Sequence, residues 1–491
     1  MDLALIAALA RDLDAAGFTV DGLTELWGED ASAALHRGHR VPALRALERS
    51  GGAPAAVLAR AFVLGMPVDP AALDSALPSL TAAGARSLGL VDAAGAPLLD
   101  LRPYSVVDAH GVVSWWIASD LGELALGHAI PEHHVLGVGG ASMTLSGLLV
   151  DRDVDVALDL GTGCGIQAMH VARHAKRVVA TDISERALEL AALNAALNGF
   201  DNIEFRLGSL FEPVAGERFG HIVSNPPFVI TPRATGVPEY EYRDGGMVGD
   251  ALVATVVAGL EEHLEPGGVA QLLGNWEYRG DSGLDRVRAW VESTGLDAWV
   301  VERERQRVEQ YAETWIRDGG TRSGAEFDRL YAAWLDDFEE RGVREVGFGY
   351  LTLRRPLSGP PTLRRFEEYG APLGGSLGGH IESVLAAHDW LRSASLRDAR
   401  LTVAPDVTEE RHYWPGADDP TMLILRQGSG FARSIPVDTA VAAVVGASDG
   451  DLSVEAICFA VADLLGVDGS ALRDEVLPEL AELVLTGFVR P

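Results

Sequence analysis

Apolar residues recur at helical spacing through the N-terminal part of the chain. Residues 2–16, 22–36 and 42–50 carry apolar positions three or four apart, with glycines between the segments, which predicts short amphipathic helices. Further along, the spacing changes to one typical of strands, and a hairpin is predicted at 90–101. Helices followed by a hairpin predict a small α+β, winged-helix-like module over residues 1–130.

Short apolar runs alternate with helical patterns in the middle of the chain, between residues 131 and 356. Runs such as 154–160 and 177–181 are each followed by a turn and a helix pattern, which predicts an α/β domain around a parallel sheet. The stretch 356–379 is rich in Gly and Pro and marks a boundary. The remaining residues, 357–491, predict a second small helical or winged-helix-like module.

A glycine-rich turn follows the first strand of the middle domain. Asp159 stands before three alternating glycines, Gly161, Gly163 and Gly165, in the spacing D-x-G-x-G-x-G. Glycines in such a turn let a ligand approach the backbone, and the N-terminus of the next helix offers free N–H groups. Asp182 ends the next strand, where a carboxylate can accept hydrogen bonds from both hydroxyls of a ribose. These positions predict a nucleotide-type cofactor site.

The sequence Asn225-Pro226-Pro227-Phe228 stands directly after another buried strand. Two prolines fix the backbone and remove two N–H donors, so the preceding carbonyls face outward as acceptors. Asn225 adds a side-chain carbonyl, and Phe228 adds an aromatic face. Acceptors beside a stacking surface suit a planar group that carries an NH2.

These three elements, in this order, resemble the class I S-adenosylmethionine-dependent methyltransferases, in particular the N-methyltransferases with an (N/D)PP(Y/F) motif. That group includes the glutamine methyltransferases of peptide release factors, several rRNA- and tRNA-base methyltransferases, and DNA adenine methyltransferases. The resemblance covers about residues 130–356. It implies a Rossmann-like methyltransferase domain with a mostly parallel seven-stranded sheet. It also implies transfer of a methyl group from S-adenosyl-L-methionine to a planar nitrogen.

The resemblance implies roles for individual residues as well. It gives a cofactor-binding set of Asp159, Gly161, Thr162, Gly163, Gly165, Asp182, Ile183, Ser209, Leu210 and Asn225, and a catalytic set of Asn225, Pro226, Pro227 and Phe228. Ser209 stands where the family usually has Asp, and it can still bond an adenine amine, more weakly than a carboxylate. Related enzymes carry a loop bordering the substrate at the position of 239–247. Tyr240, Tyr242 and Arg243 are therefore candidates for substrate contact, with surface positions as the alternative.

Charge and cysteine usage narrow the class of protein. The chain has 40 basic and 71 acidic residues, a net charge of −31, which disfavours a general nucleic-acid binder. Its two cysteines cannot form a disulfide framework or a cysteine-based zinc site. No apolar run reaches about 18 residues, and no basic region precedes the apolar N-terminal patch. We therefore expect a cytoplasmic protein with no membrane span and no metal.

Several substrates stay open. An exocyclic amine of an RNA base would require a basic track, and the best candidate is 341–365, where six arginines face the single acid Glu345. A side-chain amide of a protein requires no such track. Flanking modules favour a macromolecular substrate, in our interpretation one of the translation machinery, over a small molecule or natural product. A catalytically inactive fold that only binds is disfavoured by the intact glycines, Asp182 and Asn225.

Overall fold

The structure is a computed structural model that describes residues 1–108, 111–127 and 130–491. Its described residues form two compact units. The first unit comprises Met1–Ser146 and Asp153–Tyr369, and the second comprises Gly147–Arg152 and Gly370–Pro491. The first unit therefore contains the N-terminal helices together with the whole of the large sheet. The three-part division of the chain at residues 130 and 356 stays a prediction.

Short helices open the first unit, as the apolar spacing predicts. Asp2 caps the first helix by accepting hydrogen bonds from the N–H groups of Ala4 and Leu5, at 2.9 and 3.2 Å. Leu9 and Leu13 of the same helix are fully buried among the other N-terminal helices. The elements are α1 Leu3–Ala15, α2 Val20–Trp27, α3 Glu29–His36, α4 Val41–Arg49, α5 Pro54–Leu58, a π-helical turn Ala59–Val63, α6 Pro70–Ala76 and α7 Thr81–Ser87.

A long antiparallel hairpin follows these helices. Its strands are β1 (Leu99–Asp108) and β2 (Gly111–Asp120), paired from Leu99 opposite Asp120 onward. The hairpin predicted at 90–101 is present in a short form. Val91 forms a bridge with Pro97, and the N–H groups of Asp92 and Leu98 donate to the carbonyls of Ala96 and Leu90 at 2.8 and 2.9 Å. The order of helices followed by a hairpin is also the predicted one. Two helices lead into the large sheet, α8 Glu123–Leu126 and α9 Gly140–Leu148.

The large sheet has eight strands in the order β10-β8-β9-β7-β6-β3-β4-β5. It is mostly parallel, with β9 antiparallel to both of its neighbours. The expected number was seven, and the additional strand is β10, which lies beyond residue 356 and pairs in parallel with β8. The strands are β3 Val154–Leu160, β4 Ala175–Asp182, β5 Ile203–Leu207, β6 Phe219–Ser224, β7 Leu264–Tyr278, β8 Asp297–Arg307, β9 Glu345–Arg354 and β10 Arg364–Glu368.

Helices cover the sheet, and the inner strands are apolar because both of their faces are buried. Leu158 of β3, Ile222 of β6 and Leu272 of β7 share one buried cluster. The chain order reverses across β3, with β4 on one side and β6 on the other, and such a switch point is where α/β sheets bind ligands. The helices are α10 Ile166–Val171, α11 Glu185–Leu197, a 3₁₀ turn Glu212–Val214, α12 Ala251–His263, α13 Leu284–Glu292, α14 Val308–Asp318 and α15 Ala325–Glu340.

The second unit has its own hydrophobic core, in which Val444, Leu480 and Phe488 are fully buried. It contains a three-stranded antiparallel sheet and a two-stranded one. It ends in a helix followed by a short strand. The elements are α16 Gly378–Ser393, β11 Thr402–Val403, β12 Val407–His412, β13 Met422–Gln427, β14 Ser434–Val437, α17 Thr439–Gly446, α18 Val454–Leu465, α19 Gly469–Leu485 and β15 Val489–Arg490.

Candidate active site

A cleft of about 520 Å³ opens in the first unit at the carboxyl ends of β3, β4 and β6. Parallel strands bring their carboxyl ends to one edge of the sheet, so the three sequence elements meet there. The cleft is lined by the predicted residues Gly161, Thr162, Gly163, Asp182, Ile183, Ser209, Leu210, Asn225, Pro226, Pro227 and Tyr242. The predicted residues Asp159, Gly165, Phe228, Tyr240 and Arg243 are not part of this lining.

The glycine-rich turn leaves space on the side of the cleft. Gly161 and Gly163 have φ angles of +77° and +55°, and an added Cβ on either would meet no heavy atom within 4 Å. Gly165 also has a positive φ, +87°, but a Cβ there would lie 3.0 Å from the Cβ of Ala191 in α11. The first two glycines therefore keep the cleft open, and the third allows α11 to pack closely.

Asp159 stabilises this turn through hydrogen bonds. One of its carboxylate oxygens, Oδ2, accepts hydrogen bonds from Thr162 Oγ1 at 2.6 Å and from the N–H of Ala168 at 2.8 Å. Its other oxygen, Oδ1, is buried and has no hydrogen-bond partner among the described residues. Burial raises the pKa of this carboxyl to about 7. Asp159 thus fixes the turn and the start of α10, and it retains one unused acceptor.

Asp182 connects the end of β4 to the same turn. Its Oδ2 accepts from the N–H of Gly163 at 2.9 Å, and its Oδ1 accepts from the N–H of Ser184 at 3.0 Å. Burial raises the pKa of Asp182, although these backbone bonds oppose the rise. Ser184 caps α11 by accepting from Ala187, so Asp182 is not the cap of that helix. The neighbouring Ile183 is an apolar side chain, 60% exposed, on the wall of the cleft.

The turn after β5 completes this side of the cleft with Ser209 and Leu210. Leu210 has a φ of +48°, a conformation that costs roughly 1–2 kcal/mol for a residue other than glycine. Gly208 before it has a φ of +153°, and a Cβ there would lie 2.5 Å from Pro213. Such local strain is typical of functional turns.

The Asn-Pro-Pro-Phe motif contributes three residues to the lining of the cleft. Asn225, Pro226 and Pro227 line the cleft, and Asn225 Oδ1 is a buried acceptor with no partner among the described residues. Phe228 instead packs against Phe348, with ring centroids 5.5 Å apart. The motif therefore offers an unused acceptor to a ligand, while its aromatic ring joins the neighbouring packing.

The loop 239–247 divides its aromatic residues between the cleft and the interior. Tyr242 lines the cleft and donates its hydroxyl to Asp318 at 3.0 Å. Tyr240 is buried and donates to the carbonyl of Gly319 at 3.1 Å. Arg243 is also buried, and it donates to the carbonyl of Trp315 at 2.7 Å and to Asp318 at 2.8 Å. Tyr240 and Arg243 thus hold the loop against the end of α14.

Sequence reasoning missed the segment 132–137, which also lines the cleft. His133 lies 2.6 Å from Glu241, whose own N–H donates to the carbonyl of Glu132 at 3.0 Å. His134 is buried, and burial lowers its pKa. The segment has no periodic pattern, and its only sequence signal is the polar run that follows Pro131.

Gln167 is a further cleft residue that the sequence motifs did not indicate. It is 3% exposed and lines the cleft at the start of α10. Its Nε2 donates to the carbonyl of Ser142 at 2.7 Å, and its Oε1 has no partner among the described residues. Ser142 also lines the cleft.

The lining of the cleft is acidic. It includes the carboxylates of Glu132, Asp182, Glu239, Glu241 and Asp244, and none of the described residues that line it is Lys or Arg. Outside the lining, Arg233 pairs with Glu239 at 3.3 Å and with Asp244. An acidic surface attracts cations and repels phosphate groups.

These features fit S-adenosyl-L-methionine, which carries an ammonium group, a sulfonium and donor hydroxyl and amino groups. Asp159, Gln167 and Asn225 each have a buried oxygen that lacks a donor. Gly161 and Gly163 leave room for close approach to the backbone. The site thus has unused acceptors, space and negative charge, which are the properties that a cationic donor molecule requires.

The side chains of five arginines in 341–365 bond to groups of the same unit. The bonds join Arg341 to Asp337, Arg354 to Asp297, Arg355 to the carbonyl of Leu264, Arg364 to the carbonyl of Thr294, and Arg365 to Glu367. Three of the six arginines are thus paired with carboxylates of the fold, while Arg344 and Arg364 are exposed.

No helix in the described part of the chain is both long and apolar enough to cross a membrane. Within the same residues, no group of three or more His, Cys, Asp or Glu side chains is arranged to hold a metal ion. The absence of a metal from the mechanism stays a prediction.

The sheet order and the cleft define a Rossmann-like methyltransferase domain, because the glycine-rich turn, the acidic residue and the Asn-Pro-Pro-Phe motif meet at one sheet edge. Residues 138–287 match the model of the methyltransferase small domain. Residues 15–102 and 382–491 match two domains of unknown function, DUF7059 and DUF7782.

Curated relatives that match part of the chain include two glutamine methyltransferases. A release factor glutamine methyltransferase of Xylella fastidiosa is 40% identical over 149 residues, which are 28% of this chain and 52% of the relative. A ribosomal protein uL3 glutamine methyltransferase of Bradyrhizobium diazoefficiens is 36% identical over 135 residues, 25% of this chain and 42% of the relative. The chain thus spans about half the length of these relatives.

Solved structures align at lower identity. A methyltransferase from Pyrococcus furiosus is 17% identical, covers 42% of this chain and 77% of its own, and gives a TM-score of 0.26. A ribosomal protein L11 methylase from Lactobacillus delbrueckii is 20% identical, covers 44% of this chain and 77% of its own, and also gives 0.26. The fold is defined by the strand order of this chain itself.

Proposed function

We propose that this protein is an S-adenosyl-L-methionine-dependent N-methyltransferase that methylates a side-chain amide of a protein substrate. The observation that carries the proposal is the unpartnered Oδ1 of Asn225, which lines the same cleft as Asp182 and the glycine-rich turn. A buried acceptor without a donor is costly, and a substrate NH2 would supply the missing donor.

The names of the relatives suggest the kind of amide. Both aligned relatives are named glutamine methyltransferases, one of release factors and one of a ribosomal protein. The proposed substrate of this chain is therefore a glutamine in a protein of the translation machinery, and the proposed location is the cytoplasm. The acidic lining supports a polypeptide over an RNA base, because phosphates beside the target base would be repelled.

The residues of the cleft would hold both reactants. S-adenosyl-L-methionine would supply a methyl group on a positively charged sulfur. The glycine-rich turn, which Asp159 supports, and Gln167 would hold its methionine part. Asp182 and Ile183 would hold its ribose, and Ser209 and Leu210 its adenine.

Asn225 would accept a hydrogen bond from the substrate NH2, and the carbonyl of Pro226 would accept the second. These bonds orient the nitrogen lone pair and stabilise the positive charge that develops on nitrogen. Pro227 keeps the backbone rigid, and the ring of Phe228, packed against Phe348, would support the motif from outside the cleft lining rather than stack on the amide. No residue is assigned as a general base, because the proton can leave after transfer. Tyr242 is the proposed substrate contact, and Tyr240 and Arg243 position its loop.

The test uses labelled S-adenosyl-L-methionine and a lysate of cells that lack the gene, separated afterwards into protein, RNA and small-molecule fractions. Label in protein, lost with Asn225→Ala, is the expected result. Asn225→Asp keeps an acceptor oxygen and should retain more activity than the alanine variant. Label confined to RNA or to small molecules would refute the amide substrate. If calorimetry detects no binding of the cofactor to the purified protein, the enzymatic proposal is wrong and a binding role takes its place.

A further inference from the structure

Asn194 joins the glycine-rich turn to the N-terminal hairpin. It lies in α11 and is fully buried. Its Oδ1 accepts from the N–H of Ala118 in β2 at 2.7 Å, and its Nδ2 donates to the carbonyl of the same residue at 2.9 Å. The second hydrogen on Nδ2 is donated to the carbonyl of Cys164 at 2.9 Å. Cys164 stands between Gly163 and Gly165 and lines the cleft.

Asn198, four residues after Asn194, makes the equivalent pair of hydrogen bonds to β2 but makes no bond to the glycine-rich turn. Its Oδ1 accepts from the N–H of Trp116 at 2.9 Å, and its Nδ2 donates to the carbonyl of Trp116 at 2.8 Å. Four residues of helix rise about 6 Å, and two residues of strand extend about 6.8 Å, so both pairs fit together. Asn194 of α11 and Asn198, which follows that helix, thus both pair with the edge of β2, and of the two only Asn194 also bonds the turn.

The other bonds of the turn come from the sheet domain itself. Thr181 accepts from the N–H groups of Gly161 and Thr162, both at 2.9 Å, and Asp182 accepts from Gly163. The carbonyl of Cys164 is held by Asn194, whose remaining bonds lead out of the sheet domain to β2. The bond to Asn194 therefore links the shape of the turn to the hairpin of a different part of the chain.

We propose that Asn194 is a positioning residue, through which strand β2 holds the glycine-rich turn in its cofactor-binding shape. The N-terminal hairpin then supports the cofactor site through Asn194, although the hairpin itself contributes no side chain that binds the cofactor. This inference rests on the proposed function, because it assigns a role to a residue that supports the proposed cofactor turn.

The test compares Asn194→Ala with Asn198→Ala, which loses the equivalent strand pair but leaves the turn untouched. Titration calorimetry with S-adenosylhomocysteine gives the Kd. One lost hydrogen bond corresponds to about a fivefold change, so Asn194→Ala should raise the Kd at least about fivefold while Asn198→Ala changes it less than about twofold. Equal changes of Kd in the two variants would overturn the inference.

A second variant and a second measurement cover loss of folding. Asn194→Asp keeps the shape and the acceptor for Ala118 but removes both N–H donors, and it should also raise the Kd. Hydrogen exchange of the amides at 163–165 in cofactor-free protein should accelerate in the Asn194 variants and not in Asn198→Ala. Unchanged exchange in the Asn194 variants would overturn the inference. If the unaltered protein does not bind S-adenosylhomocysteine, the proposed function fails instead, and hydrogen exchange still decides the role of Asn194.

Discussion

Replacement of Gly163 by alanine should separate loss of cofactor binding from loss of stability. Gly163 lines the cleft with a φ of +55°, and a Cβ there would meet no protein atom within 4 Å. Gly17 offers a matched control, since its φ is +63°, its added Cβ would also meet nothing within 4 Å, and it lies outside the cleft lining.

Both substitutions place a side chain in the left-handed region, which costs roughly 1–2 kcal/mol. We therefore expect Gly17→Ala and Gly163→Ala to lower the free energy of unfolding by similar amounts. The methyl group at residue 163 would in addition occupy space beside the turn where the cofactor is proposed to lie. Overpacking costs about 1–3 kcal/mol, so the Kd should rise about tenfold or more for Gly163→Ala alone.

Denaturant unfolding gives the change in stability, and titration calorimetry with S-adenosylhomocysteine gives the Kd. Gly165→Ala provides a contrast, because its Cβ would lie 3.0 Å from Ala191 and should cost more stability than either of the others. Equal affinity of Gly163→Ala and Gly17→Ala would refute the reasoning, since it would show that no ligand approaches the turn. A much larger loss of stability in Gly163→Ala than in Gly17→Ala would contradict the conclusion that the space beside Gly163 is open.

Three further predictions concern other buried positions. Asp182→Ala removes the acceptor for Gly163 and should raise the Kd for S-adenosylhomocysteine tenfold or more, as measured by calorimetry. Burial raises the pKa of Asp159 to about 7, so the folded state favours its protonated form and the free energy of unfolding should fall as the pH rises from about 4 to about 7. In Asp159→Asn, the free energy of unfolding, measured by denaturant titration, should fall less between pH 5 and pH 8 than in the unaltered protein. An equal fall in both proteins would contradict the raised pKa of Asp159. Trp334→Ala, in the core of α14 and α15, should cost about 3–5 kcal/mol of stability and leave the Kd nearly unchanged; a comparable loss of affinity would contradict its separation from the cleft.

The centre of the site could be predicted from the sequence because its parts follow strands. Asp159, Asp182 and Asn225 each lie at or just after the end of a parallel strand, and such ends meet at one edge of the sheet. Helices and strands of the middle domain could be predicted for a different reason, because buried strands and amphipathic helices have distinct apolar spacings.

Other features depend on partners that are distant in sequence. Tyr240 and Arg243 lie inward because the end of α14 presents the carbonyls of Trp315 and Gly319 to them. The segment 132–137 lines the cleft without any periodic pattern. Five arginines of 341–365 are engaged by carboxylates and carbonyls of the fold, and no local pattern reveals such pairing.

The eighth strand has a consequence for how a shortened chain would behave. β10 pairs with β8, whose first six residues are all buried, and so it covers backbone groups that would otherwise face solvent. β10 itself carries Arg364, Arg365, Glu367 and Glu368, and charged side chains on an outermost strand discourage pairing with another chain. A chain cut at residue 356 would leave β8 as the outermost strand. We expect it to self-associate through that strand, whereas a chain that extends to Tyr369 should stay dispersed.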